Sequence, residues 1–288
     1  MASNDCTTDA AAGHGLAGVL AGLLSFAAFL PGCSVGKQAN PSFPLTVKQA
    51  KADLLWMRDH PIELRRPVVV MGGWGDVMGL PPAYLAEQLR QAIGDDRVIS
   101  IGFGMCTTFD ACRRRAIKRI DEAYPLEDSG WTREVDVIGF SMGGIVARYC
   151  ASSISDGAER RLSIANLYTI STPHRGSLMS TVVAPGSLAR DMRPGSEFLE
   201  VLDREQALSA YPILPYVRLA DTIVGADNAA PAGQTPWWLP ARAWSRSHTD
   251  AYRDPRLIAE LARRLRGEEA YATEPATALP GAGTVPGQ

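Results

Sequence analysis

The passage Val135-Asp136-Val137-Ile138-Gly139-Phe140-Ser141-Met142-Gly143-Gly144 constrains this chain more than any other. A strand-like run ends in Gly-x-Ser-x-Gly and passes without a linker into Ile145-Val146-Ala147-Arg148-Tyr149, which reads as a helix. A serine caught between strand and helix is held on a tight, strained turn. Glycines flank it because a side chain there would collide with the neighbouring elements. The hydroxyl then projects beyond the sheet, and backbone N–H groups of the new helix point at it. That geometry suits a nucleophile whose attack develops an oxyanion. The pentapeptide alone is a weak signal; its strand-to-helix setting is what separates it from an inert Gly-rich turn.

An elbow of this kind demands a parallel sheet around it, and the chain supplies the alternation. Strands are expected at 67–71, 97–101, 134–140, 164–170 and 216–219. Helices are expected at 82–92, 108–124, 142–152 and 255–266, the last with Leu257, Ile258, Leu261 and Leu265 on one face. In the helix at 108–124, Ala111, Ala116, Ile117, Ile120 and Ala123 can face inward. Strand and helix taking turns in this way predict the α/β class, a mostly parallel sheet with helices on both faces. Residues 177–210 are less regular and fit a small helical lid segment. In such sheets ligands gather at the carboxyl ends of the strands, where the loops at Gly72, Ser141, Thr172, Asp221 and His248 would meet.

A length of 288 residues fits one sizeable α/β domain, expected over 61–267 with the lid-like insertion at about 177–210. A net charge of −2, without a basic stripe interleaved with aromatics, excludes a nucleic-acid footprint. The ends differ from the middle. Gly15 to Leu30 is almost purely apolar and closes in Leu30-Pro31-Gly32-Cys33. That run is short for a membrane span and suits the core of a secretory signal. A leucine three positions before a cysteine, and a small residue directly before it, resembles the lipobox of bacterial lipoproteins, which would make Cys33 a lipidated residue. Against this stand the absence of Lys or Arg before the apolar run, the acids Asp5 and Asp9, and Pro31 beside the cleavage point. An uncleaved anchor is the alternative, and a cytoplasmic protein follows if residues 1–33 are no signal. The expectation is export, with attachment to the cell envelope through the N-terminus. Residues 34–60 are expected to be a tether and lead-in, and 268–288, rich in Ala, Gly, Pro and Thr, an unstructured tail. Cys106 and Cys112 are near enough in sequence to bridge, the alternative being small buried thiols at Cys106, Cys112 and Cys150. No Cys/His spacing suggests a metal site, and no cofactor is called for.

A serine hydroxyl needs a base, and a histidine base needs an acid to hold its tautomer. The elbow resembles that of α/β hydrolases, and the resemblance implies that acid and then histidine follow the nucleophile in the chain. Only His174 and His248 lie downstream of Ser141. His174 comes too early to leave room for an acid-bearing strand. His248 stands in a polar loop before the last helix, where the base belongs. Asp221 directly follows a strand and is the preferred acid; Asp227, in the same loop, is its rival, and Asp250 is too near His248 in sequence to orient it. One oxyanion donor should be the N–H of Met142; counting through Gly72-Gly73 places the other at the N–H of Trp74.

At these motifs the chain resembles the α/β-hydrolase superfamily, and within it bacterial lipases and esterases. Pro67-Val68-Val69-Val70-Met71-Gly72-Gly73-Trp74 is similar to their oxyanion strand and loop. Gly139-Phe140-Ser141-Met142-Gly143-Gly144 is similar to their nucleophile elbow, Thr172-Pro173-His174-Arg175-Gly176-Ser177 to the loop after the next strand, and Arg193 to Leu199 to part of their lid region. Two positions depart from the pattern, Gly72 and Phe140, where the family usually has histidine. Neither belongs to the triad, so they bear on pocket shape. The resemblance implies an α/β-hydrolase fold and cleavage of a small-molecule or lipid ester through an acyl-enzyme on Ser141. The same machinery also serves acyltransferases and thioesterases, and a silent, envelope-attached binding module is the non-enzymatic alternative.

Overall fold

The computed structural model describes residues 42–76, 78–128, 130–154, 160–181, 186–241, 245–272 and 274–280. The chain separates into units 1–36 and 37–288, of which the first lies wholly outside the described residues. The expected signal segment, Cys33 and the start of the tether fall there.

Val68–Met71 (β1), Val98–Ile101 (β2), Val135–Phe140 (β3), Ile164–Ile170 (β4), Ile213–Arg218 (β5) and Trp237–Leu239 (β6) make one sheet. Its order is β2-β1-β3-β4-β5-β6, with every pairing parallel. The helices are Val47–Asp59 (α1), Leu80–Ile93 (α2), Phe109–Ala123 (α3), Met142–Ala151 (α4), Ser187–Asp191 (α5), Glu197–Gln206 (α6), Ser247–Asp250 (α7) and Pro255–Arg266 (α8). Alternate side chains of a strand point to opposite faces, and β1 divides accordingly. Val68 and Val70 join α1, α2 and α8 in one core, while Val69 and Met71 join α3, α4, α5 and α6 in the other. Both faces of the sheet are therefore covered, which is why β1 and β3 are buried along their whole length.

Several expectations need correction. The lead-in is no tether from residue 42 onward. Phe43 is buried against Tyr216, and Thr46 caps α1 in a capping box with Gln49. Only Ala50, Leu54 and Met57 of α1 are buried, a stripe narrow enough to be hidden in a polar sequence. The C-terminal residues up to 280 are packed, not an unstructured tail. Glu260, buried on α8, accepts hydrogen bonds from the Tyr271 and Ala272 N–H groups (2.6 and 3.1 Å). Tyr271 Oη donates to Asp53 (2.8 Å), and the Thr277 N–H to Ser42 Oγ (3.1 Å). Strand β5 starts before 216 because Pro215, with no N–H to offer the ladder, disguises it. Strand β6 has only three residues and leaves no periodic trace. Ala123 of α3 is exposed, whereas Ala116 and Ile120 face the core.

The helices expected within 177–210 are present, and α5 and α6 are fastened to the body of the fold. Leu188, Met192, Leu199 and Leu202 are buried in the α3/α4 core. Phe198 stacks on Phe109 with ring centres 4.4 Å apart, and Arg148 reaches Asp203 at 2.7 Å. Cys106, Cys112 and Cys150 are free thiols. Among the described residues no helix is long and apolar enough to cross a membrane, and no group of three metal-ligating side chains occurs.

Candidate active site

Three loops at the carboxyl end of the sheet, after β3, β4 and β5, each hold a non-glycine residue at positive φ: Ser141 (53°), Ser171 (48°) and Ala220 (58°). Such backbone is costly for residues with a Cβ and persists only where the surroundings enforce it. At Ser141 the enforcement is visible. A Cβ on Gly139 would overlap the Gly144 backbone, and one on Gly143 would overlap the carbonyl of Met71, so β3 and α4 close tightly only with glycine at both positions. Thr172 Oγ1 donates to the Ser141 carbonyl (2.9 Å) and locks the turn from the β4 side.

The turn aims Ser141 Oγ at His248, whose Nε2 stands 3.0 Å away. The other ring nitrogen, Nδ1, lies 2.8 Å from Asp221 Oδ2. Asp221 follows β5 directly, and its Oδ1 accepts from the Ile223 and Val224 N–H groups, each at 3.0 Å. Burial acts to raise the Asp221 carboxyl, but the hydrogen bond and charge of His248 and the Val224 N–H outweigh it and hold the group below the ordinary carboxylate value. His248 sits on α7, anchored through Ser247 Oγ, which donates to the Leu219 carbonyl (2.5 Å). Phe140 packs against the His248 ring, centres 5.2 Å apart, and Tyr252 backs Phe140 at the same separation.

The structure thus brings together Ser141, His248 and Asp221. Asp227 is exposed and makes no bond to the histidine, and Asp250 turns towards Arg218 (3.7 Å). The loop after β1 passes beside the serine: a Cβ on Gly73 would stand 3.5 Å from Ser141 Oγ. Trp74 follows there with its side chain half exposed, and Met142 opens α4 directly after the serine.

His174 is fully buried. Arg148 Nη1 donates to its Nδ1 (3.2 Å), and its Nε2 meets Thr169 Oγ1 at 3.0 Å. Burial, and then the charges of Arg148 and Arg175, push its pKa well below the usual value, so it is a neutral structural group. Sequence reasoning noticed Thr172 and Phe140 in their motifs but assigned them no contact. Their roles depend on neighbours brought in by β4 and α7, and no local signal marks that.

The PGAP1-like alpha/beta domain matches residues 111–186, a stretch from α3 through the serine elbow and β4. The lipase BlEst2 of Bacillus licheniformis in its mature form shares the architecture, with a TM-score of 0.50 over 72% of this chain and 94% of that one, at 15% identity. The chain has the α/β-hydrolase fold. The propeptide form of the same lipase superposes on this chain with a TM-score of 0.51 at 15% identity, covering 76% of this chain and 54% of the other. Phospholipase PlaB from Legionella pneumophila is also similar, with a TM-score of 0.44 at 15% identity over 57% of this chain and 45% of that one. The chain therefore spans about half the length of these last two proteins. No curated protein matches it in sequence.

Proposed function

We propose that this α/β hydrolase cleaves carboxylic esters through an acyl-enzyme on Ser141. The observation that supports this reading is the continuous relay from Ser141 Oγ through His248 to Asp221, at 3.0 and 2.8 Å. In the reaction, His248 Nε2 takes the proton as Ser141 Oγ attacks the acyl carbon. Asp221 holds the ring in the tautomer that leaves Nε2 free to accept, and stabilises the imidazolium as it forms. The N–H groups of Trp74 and Met142 receive the oxyanion. His248 then gives its proton to the leaving alcohol, and a water activated by the same nitrogen hydrolyses the acyl-enzyme.

Ester substrates also agree with the kind of enzyme that the Bacillus lipase is named as. No step calls for a metal or an organic cofactor. The reading further places the protein at the cell envelope, held through its N-terminal segment and Cys33, and that part rests on sequence alone.

A fluorophosphonate probe tests the chemistry. It should label wild type stoichiometrically at Ser141, and Ser141→Ala should take none while keeping its unfolding midpoint. A folded wild type that resists the probe and turns over no nitrophenyl ester would remove the proposal.

A further inference from the structure

Large apolar side chains stand out into solvent around the mouth of the site. Trp74 is 50% exposed, Met78 78%, Leu80 58% and Met105 77%. Trp74 adjoins Gly73, which lies against Ser141, and Met78 and Met105 line one small cleft between neighbouring loops. Helix α2 carries this surface away from the mouth, because Leu80, Tyr84 and Gln88 fall on one face at successive turns. The stripe runs into a groove of about 270 Å³ between α1, α2 and the start of α8, where Lys51, Leu55, Arg58, Tyr84, Gln88 and Arg253 meet.

The groove has an unusual charge. No carboxylate lines it, and Lys51, Arg58 and Arg253 form no ion pair among the described residues. Arg253 instead lies over the rings of Tyr84 and Tyr252, at 5.7 and 5.1 Å. Elsewhere Arg66, Arg90, Arg97 and Arg263 are each paired with an acid. In a chain of net charge −2, three uncompensated cations thus gather beside exposed Leu55 and Trp56.

We propose that this face docks on the surface of an anionic phospholipid layer and so turns the mouth of the site towards esters held in that layer. Lys51, Arg58 and Arg253 would pair with lipid phosphates, while Leu55, Leu80 and Met78 enter the interface and the Trp and Tyr rings lie at headgroup depth. A lipid surface fits better than a protein partner because the exposed apolar side chains stand across several elements around a groove lined by cations and no acid. The purpose of the docking rests on the hydrolase reading above; the docking itself does not.

The test is flotation of the full chain with vesicles of phosphatidylcholine alone or mixed with phosphatidylglycerol. Each exposed cation near an anionic surface contributes roughly a fivefold gain, so wild type should prefer the anionic vesicles by on the order of a hundredfold, less at raised salt. The triple variant Lys51→Gln, Arg58→Gln, Arg253→Gln should lose that preference while hydrolysing a soluble nitrophenyl ester at the wild-type rate. Leu55→Gln with Leu80→Gln should weaken binding to both kinds of vesicle. The apolar segment Gly15 to Leu30 is present in every variant, so the difference between the vesicles isolates the groove. Equal binding to both vesicles by wild type, or a preference that survives the triple variant, would overturn the docking and leave the hydrolase reading intact. Preference for anionic vesicles in a folded protein that turns over no soluble ester would support the docking and overturn the hydrolase reading.

Discussion

Asp221 is held by three donors at once, two backbone N–H groups on one oxygen and the His248 ring on the other, and in the proposed reaction this selects the tautomer that leaves Nε2 free. An amide in its place can offer the ring only its carbonyl or its NH2, and the second choice stabilises the wrong tautomer. Asp221→Asn is therefore expected to lower kcat on a nitrophenyl ester by about 10³–10⁴-fold with KM little changed. Asp227→Asn, altering an exposed carboxylate that does not reach the ring, should stay within about twofold; steady-state kinetics on the pair decides the assignment. The grouping of Ser141, His248 and Asp221 was legible in the sequence because their order is that of the fold its motifs resemble, and each adjoins the end of a strand or the start of a helix. The Thr172 brace and the positive φ of Ala220 were not, since both express how neighbouring strands are spaced and no local pattern encodes that.

Helix α8 was legible from the spacing of Leu257, Ile258, Leu261 and Leu265, yet its most consequential residue is the acid on the same buried face. Glu260 is completely buried and accepts from Tyr216 Oη (3.0 Å), Arg264 Nε (2.7 Å) and two tail N–H groups. Through it, α8 holds the segment that a compositional reading takes for loose. Low periodicity signals the absence of a repeating secondary structure, and a chain can still be pinned by discrete hydrogen bonds. Glu260→Gln keeps the shape and breaks the charge-assisted bonds, at a cost of about 2–4 kcal/mol in denaturant unfolding. The same variant should open residues 271–280 to limited proteolysis before the rest of the fold is cut. Helix α1 escaped the sequence reading for the complementary reason: its three buried positions give too thin a stripe to stand out, and its place is set by packing on α8.

Over the whole molecule, acid acts on a few paired carboxylates. Asp95 accepts from the Leu64 and Arg97 N–H groups and from the Arg97 guanidinium, all at 2.8 Å, tying the approach to β1 to the edge of the sheet. Burial acts to raise its pKa, but these donors prevail and hold it at about 2, against an ordinary 3.8. A carboxyl lowered in the folded state stabilises fully above its unfolded value, and that contribution is lost as pH falls through the folded one. Asp221 acts in the same sense. Asp136 acts in the opposite one: burial raises its carboxyl, and Asn166 and Arg66 offset this only in part. Urea midpoints should accordingly fall between about pH 4 and pH 2. Asp95→Asn should flatten that fall while lowering stability at neutral pH by about 1–2 kcal/mol. The sheet order β2-β1-β3-β4-β5-β6 has a consequence for the protein's birth as well. Ser141 and His248 stand 107 residues apart in the chain, so the serine leaves the ribosome long before its base is made. In the proposed reaction a serine without its histidine is an ordinary alcohol. In that reading the unfinished chain does not attack esters, and reactivity begins only once His248 has been made and folded against the serine.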